Sequence, residues 1–373
     1  SHSKLPTAHT SREQYHHYWP KRDPLQSTSS SPPHDRTSPM ASSSPPHVVE
    51  DVPPFLQLLS DGTVIRFTDG YPLPIPSPPP GQPVVDWKDV LYDASHGLKL
   101  RIYRPAAASS SGNKLPVIVY FHGGGYSIGS FDMPNFHACC VRLAGELPAV
   151  VLSADYRLAP EHRFPAGLDD AANVLSWVRG QAAAIGDNAD PWLSETADFG
   201  RVFIAGDSAG GGVVHHTAVG LASGRLGPLD LIRVAGCAML CPLFGGEERT
   251  ASEAEFPPGP FLSLPAVDQA WRLVLPPGST RDHPLANPFG PDSPALDGVA
   301  LPPMLVVAAA HDLLRDRAAD YAARLKAMGK PVELVEFEGQ HHGFFAVEPY
   351  GDAGSEVVRL VKRFVYGNGG ASD

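Results

Sequence analysis

Val202-Phe203-Ile204-Ala205-Gly206-Asp207-Ser208-Ala209-Gly210-Gly211 decides how the rest of the chain is read. The apolar run Val202–Ala205 predicts a buried strand, and Val213–Leu221 predicts a helix. A Gly-x-Ser-x-Gly segment between strand and helix makes a turn tight enough to lift the serine hydroxyl clear of the backbone. The helix that starts there aims its first amides, and the positive end of its dipole, at the same spot. Nucleophile and anion site are therefore built together.

A lone Gly-x-Ser-x-Gly is often a plain turn, so the partners decide. Upstream, the buried-strand run Val117-Ile118-Val119-Tyr120-Phe121 ends in His122-Gly123-Gly124-Gly125. Backbone amides left bare by missing side chains at a strand end form the second half of an oxyanion hole. Downstream come an acid and a histidine, in the order Ser, Asp, His.

A serine is a weak nucleophile alone. It needs a base within hydrogen-bond reach and a third group that holds the base's tautomer. After the strand-like Met304–Ala309, Asp312 stands at the strand end, where a carboxylate can face the site. Asp316, one turn into the next helix, reads as a cap or an arginine partner. After Val332–Phe337 comes Glu338-Gly339-Gln340-His341-His342-Gly343-Phe344-Phe345. Spacing alone leaves His341 and His342 nearly even as the base. His215 and His216 read as packing on the helix behind the elbow, and His122 as an anchor of the glycine loop.

The chain has 373 residues, 43% of them hydrophobic, and a net charge of −11 from 29 basic and 40 acidic residues. That length suits one large α/β domain or two small ones. An acidic balance argues against nucleic acid and anionic membranes as partners. No stretch approaches the roughly eighteen consecutive apolar residues of a membrane span, and no secretory apolar region opens the chain. Adjacent Cys139 and Cys140 cannot easily bridge. Cys237 and Cys241 fit neither a zinc nor a redox spacing, so all four read as reduced core residues.

Residues 1–47 are expected to form a disordered Ser/Pro-rich extension, because Ser27–Ser44 lacks the apolar surface needed to offset ordering entropy. The part before Met40 is rich in histidine and reads as an upstream extension or translated leader. A transit peptide is the alternative, against which its acidic residues and lack of an amphipathic helix speak. Residues 48–367 are expected as one domain, with 368–373 a flexible tail. Val48–Leu59 predicts a helix plus a strand, and Pro72–Pro83 an extended loop. Trp87–Tyr92 and Leu98–Tyr103 predict a hairpin around Ala94-Ser95-His96-Gly97.

From there apolar strands alternate with helical patterns. The strands are Val117–Phe121, Val150–Ser153, Val202–Ala205, Val234–Leu240, Met304–Ala309 and Val332–Phe337. The helices include Leu168–Arg179, Ala209–Leu221, Arg315–Met328 and Ser355–Phe364. This is the rhythm of a mostly parallel sheet flanked by helices. Phe244–Pro291 breaks it, with one short helical pattern at Pro265–Leu275. An insertion of that length reads as a cap over the site, to which residues 48–80 are expected to add.

At this point the residues resemble a family. His122-Gly123-Gly124-Gly125 and Gly206-Asp207-Ser208-Ala209-Gly210-Gly211 resemble the hormone-sensitive-lipase group of α/β-hydrolases. Asp155-Tyr156-Arg157-Leu158-Ala159-Pro160-Glu161-His162, Phe164-Pro165-Ala166 and Phe244-Gly245-Gly246-Glu247-Glu248-Arg249-Thr250 resemble its plant carboxylesterase branch, which also contains the gibberellin receptors. So do Arg281-Asp282-His283-Pro284 and Asn287-Pro288-Phe289-Gly290-Pro291. The likeness runs from about Val48 to Phe364; residues before about 40 have no counterpart.

The resemblance implies an α/β-hydrolase fold, with Ser208 the nucleophile, Asp312 the acid and His342 the base. In this family the base directly precedes Gly-Phe or Ala-Phe, which selects His342 over His341. It further implies oxyanion donors at the amides of Gly124, Gly125 and Ala209, with Gly123 shaping the loop. The Asp155–Ala166 block is expected to support the site. Tyr126, Phe131, Asp207 and the cap are expected to line the substrate pocket.

The receptors of this branch lose the triad histidine, whereas this chain keeps it. The expected activity is thus a serine carboxylesterase acting on short-chain or small-molecule esters, without metal or organic cofactor. Alternatives are an esterase that inactivates a hormone ester or lactone, a flavonoid dehydratase, and a non-catalytic receptor-like binder. The expected setting is cytoplasmic, with the nucleus as a further compartment, and the expected state a monomer or weak homodimer.

Overall fold

A computed structural model describes residues 45–67, 76–108, 112–184, 188–259 and 262–367. The expectations placed on residues 1–44, on the first part of the proline-rich loop (residues 72–75) and on the tail 368–373 lie outside the described residues. The chain separates into two compact units, Ser1–Gly70 and Tyr71–Asp373.

In the first unit, β1 (Val48–Val52), β2 (Leu56–Leu59) and β3 (Val64–Arg66) form an antiparallel sheet. The helix expected within Val48–Leu59 is absent there. Pro53-Pro54 interrupts any helical ladder, and the β-branched Val48, Val49 and Val52 suit extended backbone.

The second unit is built on eight strands. These are β4 (Val85–Asp93), β5 (Leu98–Pro105), β6 (Leu115–Phe121), β7 (Val150–Ala154), β8 (Ala197–Asp207), β9 (Val234–Leu240), β10 (Met304–Ala309) and β11 (Val332–Phe337). Their order across the sheet is β11-β10-β9-β8-β6-β7-β5-β4. The six strands from β11 to β7 are parallel. Antiparallel β5 and β4 complete the edge as the expected hairpin. Every residue of β7 and β10 is buried, which is why these strands are near-continuous apolar runs, broken only by Ser153 in β7, rather than alternating ones.

Nine helices accompany the sheet among the described residues. They are α1 (Pro134–Glu146), α2 (Ala166–Ala183), α3 (Pro191–Thr196), α4 (Ala209–Ala222), α5 (Ala251–Glu255), α6 (Leu264–Val274), α7 (Arg315–Ala327), α8 (Phe344–Val347) and α9 (Asp352–Tyr366). Sequence patterning identifies α2, α4, α6, α7 and α9 but not α1. None of the described helices is long and apolar enough to cross a membrane. Cys139, Cys140, Cys237 and Cys241 are free thiols.

The strand order positions the site. From β6 the chain moves to β7 on one side, and β8 then pairs on the other side of β6. A reversal of this kind opens a crevice at the carboxyl ends of the two strands, where α/β sheets hold their ligands. Phe121 pairs with Gly206, so His122 and Asp207 leave the sheet side by side. Both glycine-bearing motifs therefore meet in that crevice.

Candidate active site

Ser208 sits between β8 and α4 at φ 51° and ψ −115°, a conformation that costs a non-glycine residue about 1–3 kcal/mol. Backbone bonds to the neighbouring turn hold it there. Its N–H donates to Leu240 O at 2.8 Å, and its carbonyl accepts from Leu243 N at 2.8 Å. The elbow glycines are demanded by close approach. A Cβ on Gly210 would run into the carbonyl of Phe121, and one on Gly206 would lie 2.5 Å from the carbonyl of Gly210. Ala209 opens α4, so its amide has no partner four residues back and is positioned as a donor to a developing anion.

The facing loop follows β6. Gly124 and Gly125 take φ 113° and 57°, which turns the chain back over the strand end. His122 anchors this loop: its Nδ1 lies 2.7 Å from Gly123 O, and its ring stacks on Tyr156 with centroids 4.6 Å apart. Burial pulls the His122 pKa down to about 4, so the ring is neutral at neutral pH and serves as a fixed prop.

Asp312 and His342 arrive from the ends of β10 and β11. Asp312 Oδ1 accepts from Leu314 N at 3.0 Å, and Oδ2 lies 2.7 Å from His342 Nδ1. That bond fixes the tautomer, leaving the Nε2 lone pair toward Ser208 Oγ, 3.0 Å away. Burial works against the imidazolium. The charge of Asp312, its hydrogen bond, and the charge of Asp207 together outweigh burial, and the His342 pKa lies above its ordinary value. The three groups thus form a continuous relay of orientation, with a basic nitrogen on the hydroxyl.

The competing candidates stand apart. His341 is exposed and faces His311, ring centroids 5.4 Å apart. Asp316 accepts from Ser252 N at 2.8 Å and pairs with Arg315. His215 contacts the Tyr321 hydroxyl at 2.9 Å and His216 the Leu285 carbonyl at 3.1 Å, both as packing groups.

The residues expected to line a pocket have more specific placements. Asp207 is buried beneath the glycine loop, where Oδ1 accepts from Tyr120 Oη at 2.7 Å and from Gly123 N at 3.0 Å. Burial raises its pKa to about 6. One oxygen of this carboxylate is thus committed to the backbone of the next loop and to Tyr120. Tyr126 packs its ring on Phe164 and Trp271 and donates to Leu243 O at 3.3 Å. Phe131 is held through its amide by Asp155 at 2.8 Å, and its ring lies under Arg101.

Within the insertion 244–291, α6 comes over the glycine loop: a Cβ on Gly125 would lie 3.1 Å from that of Ala270. Arg317 on α7 anchors the base of the insertion, donating to the carbonyls of Gly245, Gly246 and Glu248 and pairing with Glu253.

Sequence reasoning also misses a set of supports on α1. Asn135 and Arg142 donate to the carbonyls of Ala346 and Pro349, and the Cys139 thiol donates to Phe345 O at 3.5 Å. Their i, i+4, i+7 spacing puts them on one helix face, against the segment that follows His342. Asn135 and Arg142, seven residues apart, would normally read as solvent-facing.

Cys241, Asp312 and His342 bring three potential metal-ligand atoms within 4.8 Å of one another. Two of these groups are already engaged in the Ser208 relay.

Residues 118–346 match the protein family described by the alpha/beta hydrolase fold. A gibberellin receptor of Arabidopsis thaliana is 40% identical over 269 residues, covering 69% of this chain and 74% of its own. A 3-O-acetylpapaveroxine carboxylesterase of Papaver somniferum is 36% identical over 283 residues, covering 74% and 86%. Among solved structures, a hyperthermophilic esterase of the archaeon Pyrobaculum calidifontis aligns with a TM-score of 0.62 and 32% identity, over 76% of this chain and 86% of its own.

Proposed function

The chain belongs to the α/β-hydrolase family, in the branch of plant carboxylesterases and gibberellin receptors, and from this premise we propose that it is a serine carboxylesterase of small-molecule esters. The observation that carries this reading is the unbroken chain from Asp312 through His342 to Ser208, at 2.7 and 3.0 Å.

Ser208 Oγ attacks the ester carbonyl as His342 Nε2 takes its proton. Negative charge builds on the carbonyl oxygen, where the amides of Gly124, Gly125 and Ala209 donate to it. Fixed donors in a water-poor site stabilise that charge without reorganising, and each is worth about 2.7–4 kcal/mol of barrier. His342 then returns the proton to the leaving alkoxide, and water releases the acid by the same steps. Asp312 keeps its charge throughout and steadies the imidazolium.

The test is hydrolysis of p-nitrophenyl acetate, with the first turnover resolved. Wild type should release a stoichiometric burst of nitrophenolate, and Ser208→Ala should release none. Saturable binding of a plant hormone without any burst would overturn this reading in favour of a receptor. Comparing plant esters consumed by wild type and by Ser208→Ala would then narrow the substrate, hormone lactones included.

A further inference from the structure

One buried group beside the relay has no part in the proton transfers described above. Cys241 ends the β9 turn Leu240-Cys241-Pro242-Leu243, and its neighbours Leu240 and Leu243 make the two backbone bonds that hold Ser208. The Cys241 amide donates to Val307 O on β10 at 2.8 Å. Its φ is 48°, a strained value for a side chain with a Cβ, and it precedes proline, which narrows the choice further. Strain of that kind persists only where the surroundings over-determine it. Ser208 is thus fastened to both sides of the turn that holds Cys241, a second strained residue.

The thiol reaches the other half of the site. Sγ lies within 4.8 Å of an Asp312 oxygen and a His342 ring nitrogen. Burial pushes the thiol well above its ordinary pKa, and the charges of Asp312 and Asp207 push the same way, so it stays protonated. It is therefore neither a rival nucleophile nor a ready metal ligand. A neutral thiol is bulky and only a weak donor. Buried beside the Asp312–His342 pair, it adds no competing charge and leaves the carboxylate charge to the imidazole.

We propose that Cys241 is a positioning residue that sets His342 against Ser208: its turn fixes the nucleophile, and its thiol, packed beside Asp312 and His342, sets the electrostatic surroundings of the base. The inference rests on the esterase reading for its kinetic consequence, not for its geometry. The ionisable groups placed around His342 are Asp312 after β10, Asp207 at the end of β8, and the Cys241 thiol itself.

The experiment compares Cys241→Ser and Cys241→Ala with wild type in two readouts. One is the pH dependence of p-nitrophenyl acetate hydrolysis. The other is the NMR titration of the downfield His342 Nδ1 proton, which needs no turnover. A serine hydroxyl is a stronger donor than a thiol and should donate to Asp312, sharing its charge. The His342 midpoint should then fall by about half a pH unit in the serine variant, and less in the alanine variant. kcat should drop about tenfold in both, with KM little changed. Unchanged midpoints and kcat beside a lowered melting temperature would overturn the proposal, leaving a packing residue. An inactive wild type would instead overturn the esterase reading, and the NMR midpoints would still decide the role of Cys241. Should the serine variant not fold, the alanine variant decides by the same kcat criterion.

Discussion

Asp207 accepts the amide of Gly123 at 3.0 Å and so fastens the glycine loop to the residue just before the nucleophile. The same oxygen takes the Tyr120 hydroxyl at 2.7 Å. The two halves of the proposed oxyanion site, which come from different strands, are therefore joined through one buried carboxylate.

Asp207→Ala should leave the Gly123 amide and the Tyr120 hydroxyl without an acceptor. Each orphaned buried group costs about 1–3 kcal/mol, so a melting point several degrees lower is expected, with kcat down about a hundredfold as the loop loosens. Asp207→Asn keeps the acceptor and removes the charge. In wild type the raised pKa, about 6, means that ionising this carboxyl opposes folding. That penalty sets in as pH rises from the unfolded value of about 3.9 and is complete above the folded value. The asparagine variant should thus gain on wild type between pH 4.5 and pH 8 in thermal melts. An equal difference at both pH values would contradict the assignment.

The two adjacent histidines should separate sharply. Ser208→Ala and His342→Ala should each lower kcat for p-nitrophenyl acetate by on the order of 10⁴, because the relay acts as a unit. His341→Ala, at an exposed ring facing His311, should cost tenfold or less. A dead His341→Ala beside an active His342→Ala would reverse the assignment.

Activity should fall on the acid side as His342 takes up a proton. Its pKa lies above the ordinary value, so the midpoint of kcat/KM should lie above about 6.5. The base works only when neutral; the same raised pKa adds fold stability that is full below the unfolded value and lost as pH rises through the folded one. Asp312→Asn removes the main charge sustaining the shift, so the midpoint should move down and kcat should collapse. A midpoint at or below 6 in wild type would count against the Asp312–His342 coupling.

Chain length of the acyl group should reveal the cover. With α6 close over Gly125 and the insertion anchored by Arg317, short acyl groups need little room. kcat/KM for p-nitrophenyl esters should peak at about two to six carbons and fall steeply beyond about ten. A methylene in an apolar pocket contributes only about 1–3 kcal/mol, so a steep fall means exclusion rather than lost attraction. A preference for palmitoyl esters at a lipid interface would refute it.

Most of the parallel strands were legible from their apolar runs, β11 with Glu333 and Glu336 being the exception, and their ends carried Ser208, Asp312 and the glycine loop in plain view. The choice between His341 and His342 was not, from spacing alone. A loop has no period, and the two residues are separated only by the turn at Gly343, φ 70°, which sends one ring inward and the other to solvent. The loop-holding contact of Asp207 was not legible because a carboxylate beside a nucleophile reads as a site group, whereas one of its partners is a backbone amide 84 residues earlier. Helix α1 was missed because its inward face carries Asn135 and Arg142, both buried, where a periodicity argument expects leucine.

That helix has a mechanical consequence. It begins just after Phe131, whose amide Asp155 grips, and its side chains hold the carbonyls of Phe345, Ala346 and Pro349 just beyond His342. The segment leading out of the anion site and the segment leading out of the base are thus carried on one rigid rod. A ligand too wide for the glycine loop would push that rod and draw the imidazole off the serine with it. For the esterase proposed above, poorly fitting esters should then be rejected by lost alignment as well as by collision, and the penalty should appear in turnover even for molecules that still bind.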